Sequence, residues 1–268
     1  MTTRFAPAPT GYLHLGHVAN ALYVWTDARE RGGRVLLRIE DHDRARCRPE
    51  FEDALLEDLA WLGFEADEPA VRQSARHTIY QRVADDLHAR GLLYACTCTR
   101  RLVRGSRVQG PGSEEVRYPG TCRNASHAPG DGVGWRVRLP HDAITFDDRW
   151  CGPQVQVPAR QCGDLLIRDR LGNWTYQFVA TVDDHLQAIT DVIRGRDLLD
   201  STGRQILLLR LIGRPAPAIF AHHPLIMKSA SQKLSKSDGD TGIRDLRAAG
   251  WSRERVLEEA AKLSGFSL

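Results

Sequence analysis

The chain has 268 residues, which is long enough for one or two domains with a sizeable core. Hydrophobic residues make up 42% and charged residues 26%, a composition that excludes a mostly disordered chain, a collagen-like chain and a small disulfide scaffold. The formal net charge of +3 is too small to indicate nucleic-acid binding by itself, and it does not exclude it.

The chain carries no targeting signal that we recognise. No apolar run follows a basic region at the N-terminus, and none reaches the roughly 18 residues of a membrane-spanning helix. We therefore expect a cytoplasmic protein with no membrane partner. In that reducing compartment cysteines are thiols or metal ligands rather than disulfides. The six cysteines are Cys47, Cys96, Cys98, Cys122, Cys151 and Cys162.

The first third of the chain predicts alternating strands and helices. The apolar spacing gives a strand over 4–6, a helix over 16–31, a strand over 34–40, a helix over 49–63 and a helix over 74–91. Ser74 is a candidate N-cap of the third helix. Strand and helix at this spacing favour an α/β fold with parallel strands.

The middle of the chain differs in composition. Residues 96–134 are rich in Gly, Arg, Pro and Ser and predict an insertion with little secondary structure. Residues 135–180 favour strands, including one over 174–178.

Helical patterns return in the last third, over 201–212 and 252–262. This organisation predicts an α/β nucleotide fold that is split by a middle insertion. Residues 1–94 and 181–268 form its two halves, and residues 95–180 form the insertion.

The motif Pro-Ala-Pro-Thr-Gly-Tyr-Leu-His14-Leu-Gly16-His17 lies at the first strand-to-helix junction. The N-terminus of a helix offers backbone N–H groups and the positive end of a dipole to an anion. The two histidines are three residues apart, so their imidazoles share one face of the first turn. The same spacing is also typical of a solvated turn or of half a metal site.

A second motif, Lys233-Leu-Ser-Lys236-Ser237, lies near the other end of the chain. Two ammonium groups in a Ser- and Gly-rich loop can stabilise the charge that develops when a phosphoryl group is attacked. Alone, such a loop is usually a solvated basic turn. Its combination with the histidine motif favours a nucleotide site.

The two motifs resemble the HIGH and KMSKS signatures of class I aminoacyl-tRNA synthetases. Four further segments narrow the resemblance to the glutamyl branch: Arg4-Phe-Ala-Pro7, Arg38-Ile-Glu-Asp41, Tyr176-Gln-Phe-Val-Ala180 and Arg194-Gly-Arg-Asp197. The resemblance implies a Rossmann-like catalytic domain with a zinc-bearing, partly β insertion. It also implies that the enzyme joins glutamate to AMP from ATP, with Mg²⁺, and passes the glutamyl group to RNA.

In this resemblance His14, His17, Lys233 and Lys236 are the catalytic residues, and His14, His17 and Lys236 bind ATP.

A site for glutamate needs cationic side chains for its carboxylates and an acidic or phenolic partner for its ammonium group. The resemblance assigns Arg4, Arg194, Glu40 and Tyr176 to this pocket, with Ala8 where the family usually has serine. Each has an ordinary alternative: surface charge for the arginines, a strand-end cap for Glu40 and core packing for Tyr176.

Three cysteines in the insertion indicate a structural zinc site. Cys96 and Cys98 form a C-x-C pair and Cys122 follows, and three thiolates with a fourth ligand make a closed tetrahedral site. The resemblance places Tyr118 in the fourth position, where a water or His127 is an alternative. Three buried thiols without metal are the other interpretation. Cys47, Cys151 and Cys162 are interpreted as plain thiols.

Arginines cluster around this insertion, which favours contact with RNA phosphates and unstacked bases over a merely solvated face. They are Arg100, Arg101, Arg104, Arg107, Arg117, Arg123, Arg136 and Arg138.

Only a short segment follows Ser237, so we expect no anticodon-binding domain. In this the chain resembles the glutamyl-Q tRNA(Asp) synthetase family, which attaches glutamate to the queuosine base of tRNA(Asp). The alternatives are a minimal glutamyl-tRNA synthetase and a catalytically inactive RNA-binding module derived from one.

Overall fold

The computed structural model describes residues 1–105, 116–214, 216–226 and 241–266. By internal contacts the chain divides into two compact units. Unit 1 comprises Met1–Ala75, Ile189–Leu199 and Ala218–Leu268, and unit 2 comprises Arg76–Ala188 and Asp200–Pro217.

The elements alternate along the chain, and two 3₁₀ turns cover Gln73–Arg76 and Arg196–Ser201. In chain order they are β1 (Thr2–Phe5), α1 (Leu15–Glu30), β2 (Arg34–Ile39), α2 (Pro49–Leu62), β3 (Val71–Arg72), α3 (His77–Ala89), β4 (Leu93–Cys96), α4 (Arg100–Gly105), β5 (Gly134–Val137), β6 (Ile144–Asp148), β7 (Gly152–Gln156), α5 (Pro158–Gln161), β8 (Leu165–Arg168), α6 (Tyr176–Leu186), β9 (Asp191–Gly195), α7 (Thr202–Leu211), β10 (Ile219–His223), α8 (Ile243–Ala248) and α9 (Arg253–Ser264). None of the helices in these described ranges has the length and apolar character needed to cross a bilayer.

Unit 1 is built on parallel strands. β1 pairs with β2 and β2 with β3, with Thr2 opposite Arg34 at one end of the first pair. β9 and β10 also pair in parallel, with Arg194 opposite His222. The helix α1 connects β1 to β2, as parallel neighbours require a crossover. The predicted α/β fold with parallel strands is confirmed.

The helix α1 is enclosed by the core of unit 1. Val18, Leu22 and Trp25 are buried, and the Trp25 ring packs edge-on against Phe5 with 5.3 Å between centroids. The neighbouring helix α9 is attached through the Tyr23 hydroxyl, which donates to the carbonyl of Ser264 at 3.0 Å. Burial on several sides holds the helix axis, and with it the N-terminus of α1, in a fixed position.

Most predicted element ends in unit 1 agree with the structure, but one cap does not. The Ser252 hydroxyl accepts from the backbone N–H of Arg255 and caps α9. Ser74 lies instead in a 3₁₀ turn, and both its backbone N–H and its hydroxyl donate to Asp41. The predicted cap at Ser74 is wrong because a carboxylate outside the helix competes for this serine.

Unit 2 contains antiparallel strands and helices. β4, β5 and β8 form a sheet with β5 in the centre, and β6 and β7 form a hairpin. The predicted strand over 174–178 is wrong, since α6 begins at Tyr176. The aromatic residues there suit a strand by propensity, but Phe178 is buried on the helix face that forms the core. The helix α3 and the strand β4 belong to unit 2. The sequence pattern instead assigns both to the first half of the nucleotide fold, residues 1–94.

A buried carboxylate connects α3 to α6 within unit 2. Asp183 is fully buried and accepts from Arg76 Nε and from the Tyr80 hydroxyl, each at 2.8 Å. An ionised carboxylate in such a place is stable only with donors of this kind.

We expect Asp183→Asn to lower the free energy of unfolding by about 3 kcal/mol, since the amide cannot satisfy a charged guanidinium and a phenol as the carboxylate does. Urea unfolding followed by circular dichroism measures this. Asp85→Asn, whose exposed carboxylate accepts from Gln81 in the same helix, is the control and is expected to change stability by less than about 0.5 kcal/mol. Equal effects of the two substitutions would contradict a structural role for Asp183.

Candidate active site and metal centre

The N-terminus of α1 is capped by two histidines. The His14 Nδ1 accepts from the backbone N–H of Gly16 at 3.1 Å, and the His17 Nδ1 accepts from the backbone N–H of His14 at 3.1 Å. The rings lie 3.9 Å apart between centroids. This is a reciprocal capping box in which imidazoles replace the usual hydroxyl and carboxylate.

These hydrogen bonds assign the state of both rings. A nitrogen that accepts from a backbone N–H carries no proton, so the neutral form of each ring is protonated on Nε2. His14 is buried and His17 is half-buried. Both rings therefore present an Nε2–H donor at a helix N-terminus, where the helix dipole already favours an anion.

The segment with Lys233 and Lys236 lies outside the described residues, but the chain that follows it is placed. The backbone N–H of Ile243 donates to the carbonyl of Leu13 at 2.7 Å, and Gly242 forms a bridge with His14. Residues 242 and 243, where the described chain resumes, therefore lie beside the histidine cap.

Four of the predicted glutamate-binding residues lie at the carboxyl ends of strands in unit 1. Arg4 is in β1 and its Nη1 donates to the carbonyl of Ile193 in β9 at 3.4 Å, and both arginines, Arg4 and Arg194, are buried. Ala8 follows β1, and the buried Glu40 follows β2, where its N–H donates to Pro7 at 3.0 Å. Ligands of open α/β sheets bind at this edge.

His222 is a residue that sequence reasoning missed. It is buried opposite Arg194 in the neighbouring strand, and its Nε2 accepts from Arg194 Nε at 2.9 Å. The carbonyl of Leu198 accepts from Arg194 Nη2 at 3.4 Å. The sequence around His222 reads as a short apolar strand and does not indicate a functional residue. Only the parallel register of β9 and β10 shows that His222 faces Arg194.

Two side-chain clamps hold the segment that follows Glu40. Asp41 accepts both hydrogen bonds from Ser74, and His42 Nδ1 bonds to the side chain of Gln73 at 2.7 Å. Burial lowers the pKa of His42, and the hydrogen bond with Gln73 and the carboxylates of Asp41 and Asp43 oppose that shift. The clamps fix the loop in which Glu40 stands.

Tyr176, the fifth predicted glutamate-binding residue, belongs to unit 2. It is the first residue of α6 and is half-buried. The preceding Thr175 hydroxyl donates to the carbonyl of Leu166 at 2.7 Å and fixes the start of the helix.

The three cysteines of the predicted zinc site come together in unit 2. The Sγ atoms of Cys96, Cys98 and Cys122 lie within 4.8 Å of one another, with 3.6 Å between Cys98 and Cys122. Zinc–sulfur bonds of about 2.3 Å in a tetrahedron separate two thiolates by about 3.7 Å, so the spacing fits this metal. The pairing of β4 with β5 and the turn that follows Tyr118 bring the three sulfur atoms together.

Tyr118 lies at the fourth corner of this cluster. Its buried hydroxyl is 3.5 Å from the Cys96 Sγ and 4.0 Å from the Cys98 Sγ, and it accepts from the backbone N–H of Cys122 at 2.8 Å. His127 is exposed, and its Nε2 lies 3.5 Å from the Thr97 hydroxyl. Of the two side chains predicted for this position, the phenol is the one that touches the thiols.

The surroundings of Cys98 and Cys122 shift the pKa values of these two thiols in opposite directions. Burial, the hydrogen bond with Cys122 and the neighbouring thiols raise the pKa of Cys98 to about 11. Burial also raises that of Cys122, but hydrogen bonds from Thr97, Tyr118 and Cys98 outweigh it and lower the pKa to about 6. This environment favours the thiolate form of Cys122 over that of Cys98.

Arg136 supports the cluster rather than facing RNA. It is buried, its Nε donates to the Cys96 Sγ at 3.3 Å, and its guanidinium lies 3.6 Å above the Tyr118 ring. Its Nη1 also donates to the carbonyl of Asp164 at 2.7 Å. The sequence interpretation of Arg136 as part of an RNA-facing patch is wrong, because the alternation of β5 turns this side chain inward.

The buried Asp164 connects the remaining parts of the insertion. Its carboxylate accepts from the Tyr94 hydroxyl at 2.7 Å, from the N–H of Leu139 at 2.9 Å and from Arg123 in an ion pair. Arg123 is therefore engaged in the fold as well. Arg107 lies outside the described residues.

None of the six cysteines, all within the described ranges, forms a disulfide. Cys47 lies with its Sγ 3.8 Å from the carbonyl of Glu40, and the buried Cys162 donates to Pro158 and Gly163. Among the described residues only the Cys96, Cys98 and Cys122 group offers three ligand atoms close enough for one ion.

Comparisons with known proteins agree with these features. Residues 1–267 match the family model of the catalytic domain of class I tRNA synthetases (E and Q). A glutamyl-Q tRNA(Asp) synthetase of Symbiobacterium thermophilum is 43% identical over 98% of this chain and 86% of its own length. That of Cupriavidus metallidurans is 45% identical over 88% of this chain and 77% of its own length.

A solved structure agrees with the match to the E and Q group. A glutamate tRNA ligase from Elizabethkingia meningosepticum, crystallised in complex with its amino acid, superposes with a TM-score of 0.74 at 31% identity over 94% of this chain. This chain spans about half of that ligase, 53% of its length. The chain therefore belongs to the class I tRNA synthetases of the E and Q group and, within that group of ligases, to the glutamyl-Q tRNA(Asp) synthetase family.

Proposed function

We propose that this chain activates L-glutamate with ATP and transfers it to the queuosine base at the wobble position of tRNA(Asp). The observation that carries the activation step is the pair of imidazoles whose Nδ1 atoms cap the N-terminus of α1, beside strand ends that hold two buried arginines. The acceptor comes from the names of the relatives. A cytoplasmic location belongs to the same proposal.

In the activation step a carboxylate oxygen of glutamate bonds to the α-phosphorus of ATP and pyrophosphate leaves. The Nε2–H groups of His14 and His17 donate to phosphate oxygens, and Lys233 and Lys236 neutralise the charge on the leaving group. Mg²⁺ accompanies the ATP and shields its phosphates. Since little covalent help is needed, positioning supplies most of the acceleration.

Glutamate is held by groups of opposite charge. Arg4 and Arg194 bind carboxylates through their planar forks, Glu40 meets the ammonium group, and Tyr176 contributes a phenol. Ala8 lines the pocket through its backbone. In the second step the acceptor on the base attacks the glutamyl carbonyl and AMP leaves.

Purified protein is expected to catalyse glutamate-dependent exchange of pyrophosphate into ATP without tRNA. Labelled glutamate is then expected on queuosine-containing tRNA(Asp), and neither on the same tRNA without queuosine nor on tRNA(Glu).

The two rival functions give different outcomes in these assays. A folded protein without exchange activity would be an RNA-binding module rather than an enzyme. Charging of tRNA(Glu) at its 3′ end would make the chain a minimal glutamyl-tRNA synthetase and would overturn the proposed acceptor.

Arg194→Lys is expected to raise the KM for glutamate in the exchange assay roughly 10- to 100-fold, because lysine keeps the charge but loses the fork and the contact with His222. Arg196→Lys, at an exposed position two residues away, is the matched control with an unchanged KM. If both variants keep the wild-type KM, Arg194 does not bind glutamate.

We also propose that Cys96, Cys98, Tyr118 and Cys122 hold one structural zinc ion. Three thiol sulfurs and a phenol oxygen at these separations match the donor set and the size of a tetrahedral zinc site. The hydrogen bond that Arg136 donates to the Cys96 sulfur would offset part of the negative charge of the thiolates. Zinc bound here would join the two ends of the segment 96–122, which has few apolar residues of its own.

Cys98→Ser is expected to reduce bound zinc from about one ion per chain to nearly none and to lower Tm, as measured by elemental analysis and thermal unfolding. Cys151→Ser, in the turn between β6 and β7, is the control and should retain the metal. Wild-type protein without zinc, or a Cys98→Ser protein that keeps it, would disprove the site. Tyr118→Phe with full zinc content would assign the fourth position to water or His127.

A further inference from the structure

A small pocket lies at the outer edge of β4 in unit 2, next to the cysteine cluster. Its volume is about 210 Å³, below the roughly 300–1,000 Å³ of pockets that enclose a whole drug-sized ligand. A cavity of this size suits one flat ring system that enters from solvent. The residues that line it are His88, Leu93, Tyr94, Ala95, Ser126, His127, Pro129, Trp135 and Arg138.

Two pairs of aromatic and cationic groups line the pocket. The half-buried Trp135 ring lies 5.5 Å from the His88 ring, tilted by 42°, and the Arg138 guanidinium lies 4.8 Å above the Tyr94 ring. Neither tight pair leaves room for a ring between its members, so a ligand would stack on their open side. Indole, imidazole and guanidinium planes are the groups on which unstacked bases stack in proteins.

The strand edge adds polar groups to the pocket. The N–H of Arg138 donates to the carbonyl of Leu92 at 2.8 Å, and Tyr94 pairs with Arg136 in the same ladder. In an antiparallel pair the alternate residues direct their N–H and C=O away from the partner strand. Leu93 and Ala95 therefore turn these groups toward the outer edge, where the described residues supply no partner.

The loop opposite the strand is held in an unusual conformation. Ser126 has a φ of 49°, in the left-handed region that residues other than glycine rarely adopt. The loop follows Cys122 directly, and the Thr97 hydroxyl contacts both the Cys122 sulfur and His127. The cysteine cluster thus fixes one wall of the pocket, and strain of this kind persists where the surroundings determine it.

We propose that this pocket binds one unstacked nucleobase of the tRNA, an inference that rests on the proposed function for its RNA partner. The base stacks beside Trp135 and His88, and its hydrogen-bonding edge meets the backbone of Leu93 and Ala95. The helix α4, which follows β4, exposes Arg100, Arg101 and Arg104 to the adjacent phosphates. The described edge of β4 is only four residues long, which favours a base over an added peptide strand.

Trp135→Leu tests this pocket, because leucine fills much of the volume without a ring on which a base can stack. With the tRNA(Asp) that the wild-type protein charges, we expect Kd to rise about tenfold at fixed salt, the loss of one base–aromatic contact. Glutamate-dependent pyrophosphate exchange should stay at the wild-type rate. Trp150→Leu is the matched control: Trp150 is a 40% exposed indole of the same unit outside the pocket, and its removal should leave Kd unchanged.

His88→Ala keeps the test valid if Trp135→Leu is unstable, because His88 is exposed on α3; here too a several-fold rise in Kd is expected. Wild-type affinity in His88→Ala and in any folded Trp135→Leu, or an equal loss in Trp150→Leu, would overturn the pocket. The proposal would also be overturned if these variants kept wild-type affinity for RNA but lost affinity for an extended peptide, because the pocket would then be a peptide site. A wild-type protein that catalyses exchange but binds no tRNA would instead refute the RNA half of the proposed function.

Discussion

The hydrogen bonds between the imidazoles of His14 and His17 and the first backbone N–H groups of α1 are the interaction on which the candidate active site depends. Helix N-termini are usually capped by hydroxyls or carboxylates. A carboxylate here would stabilise the helix but would repel an incoming phosphate. A hydroxyl would satisfy the N–H groups but is too short to offer a second hydrogen bond to a ligand. Two imidazoles accept from the backbone with one nitrogen and donate with the other. In the proposed function, folding and anion binding would therefore use opposite sides of the same rings.

This arrangement also explains why α1 is buried so thoroughly. The direction of the two Nε2–H groups is set by the helix axis, so any rotation of the helix would move both donors together. Packing of Trp25 against Phe5 and attachment of Tyr23 to the end of α9 prevent that rotation. The bond from Ile243 to Leu13 then holds the start of α8 against the same turn. In the proposed function, the core of unit 1 would contribute by orienting the two donors and not by contact with the substrate.

Sequence reasoning was most successful where local chemistry decides the structure. The prolines and the H-x-x-H spacing give the strand-to-helix junction directly, and the C-x-C pair with a later cysteine gives the cluster. It failed where a distant partner decides. Ser74 bonds to Asp41, and Arg136 turns inward to Cys96, and neither partner is close in sequence. His222 was missed for the same reason, since it faces Arg194 only through the pairing of β9 and β10. Residues 174–178 show that aromatic enrichment alone does not separate a strand from the buried face of a helix.

The contact between His222 and Arg194 resembles the helix cap, because here too an imidazole nitrogen accepts a hydrogen bond and adds no negative charge. Because Arg194 Nε donates to it, the His222 Nε2 carries no proton and the ring is a neutral acceptor. A carboxylate at this position would hold the guanidinium more firmly, but in the proposed function it would compete with a substrate carboxylate for Arg194. A buried arginine without an acceptor would lose a hydrogen bond in the interior. Neutral imidazole satisfies both requirements: it orients the fork through one nitrogen and adds no negative charge beside Arg194.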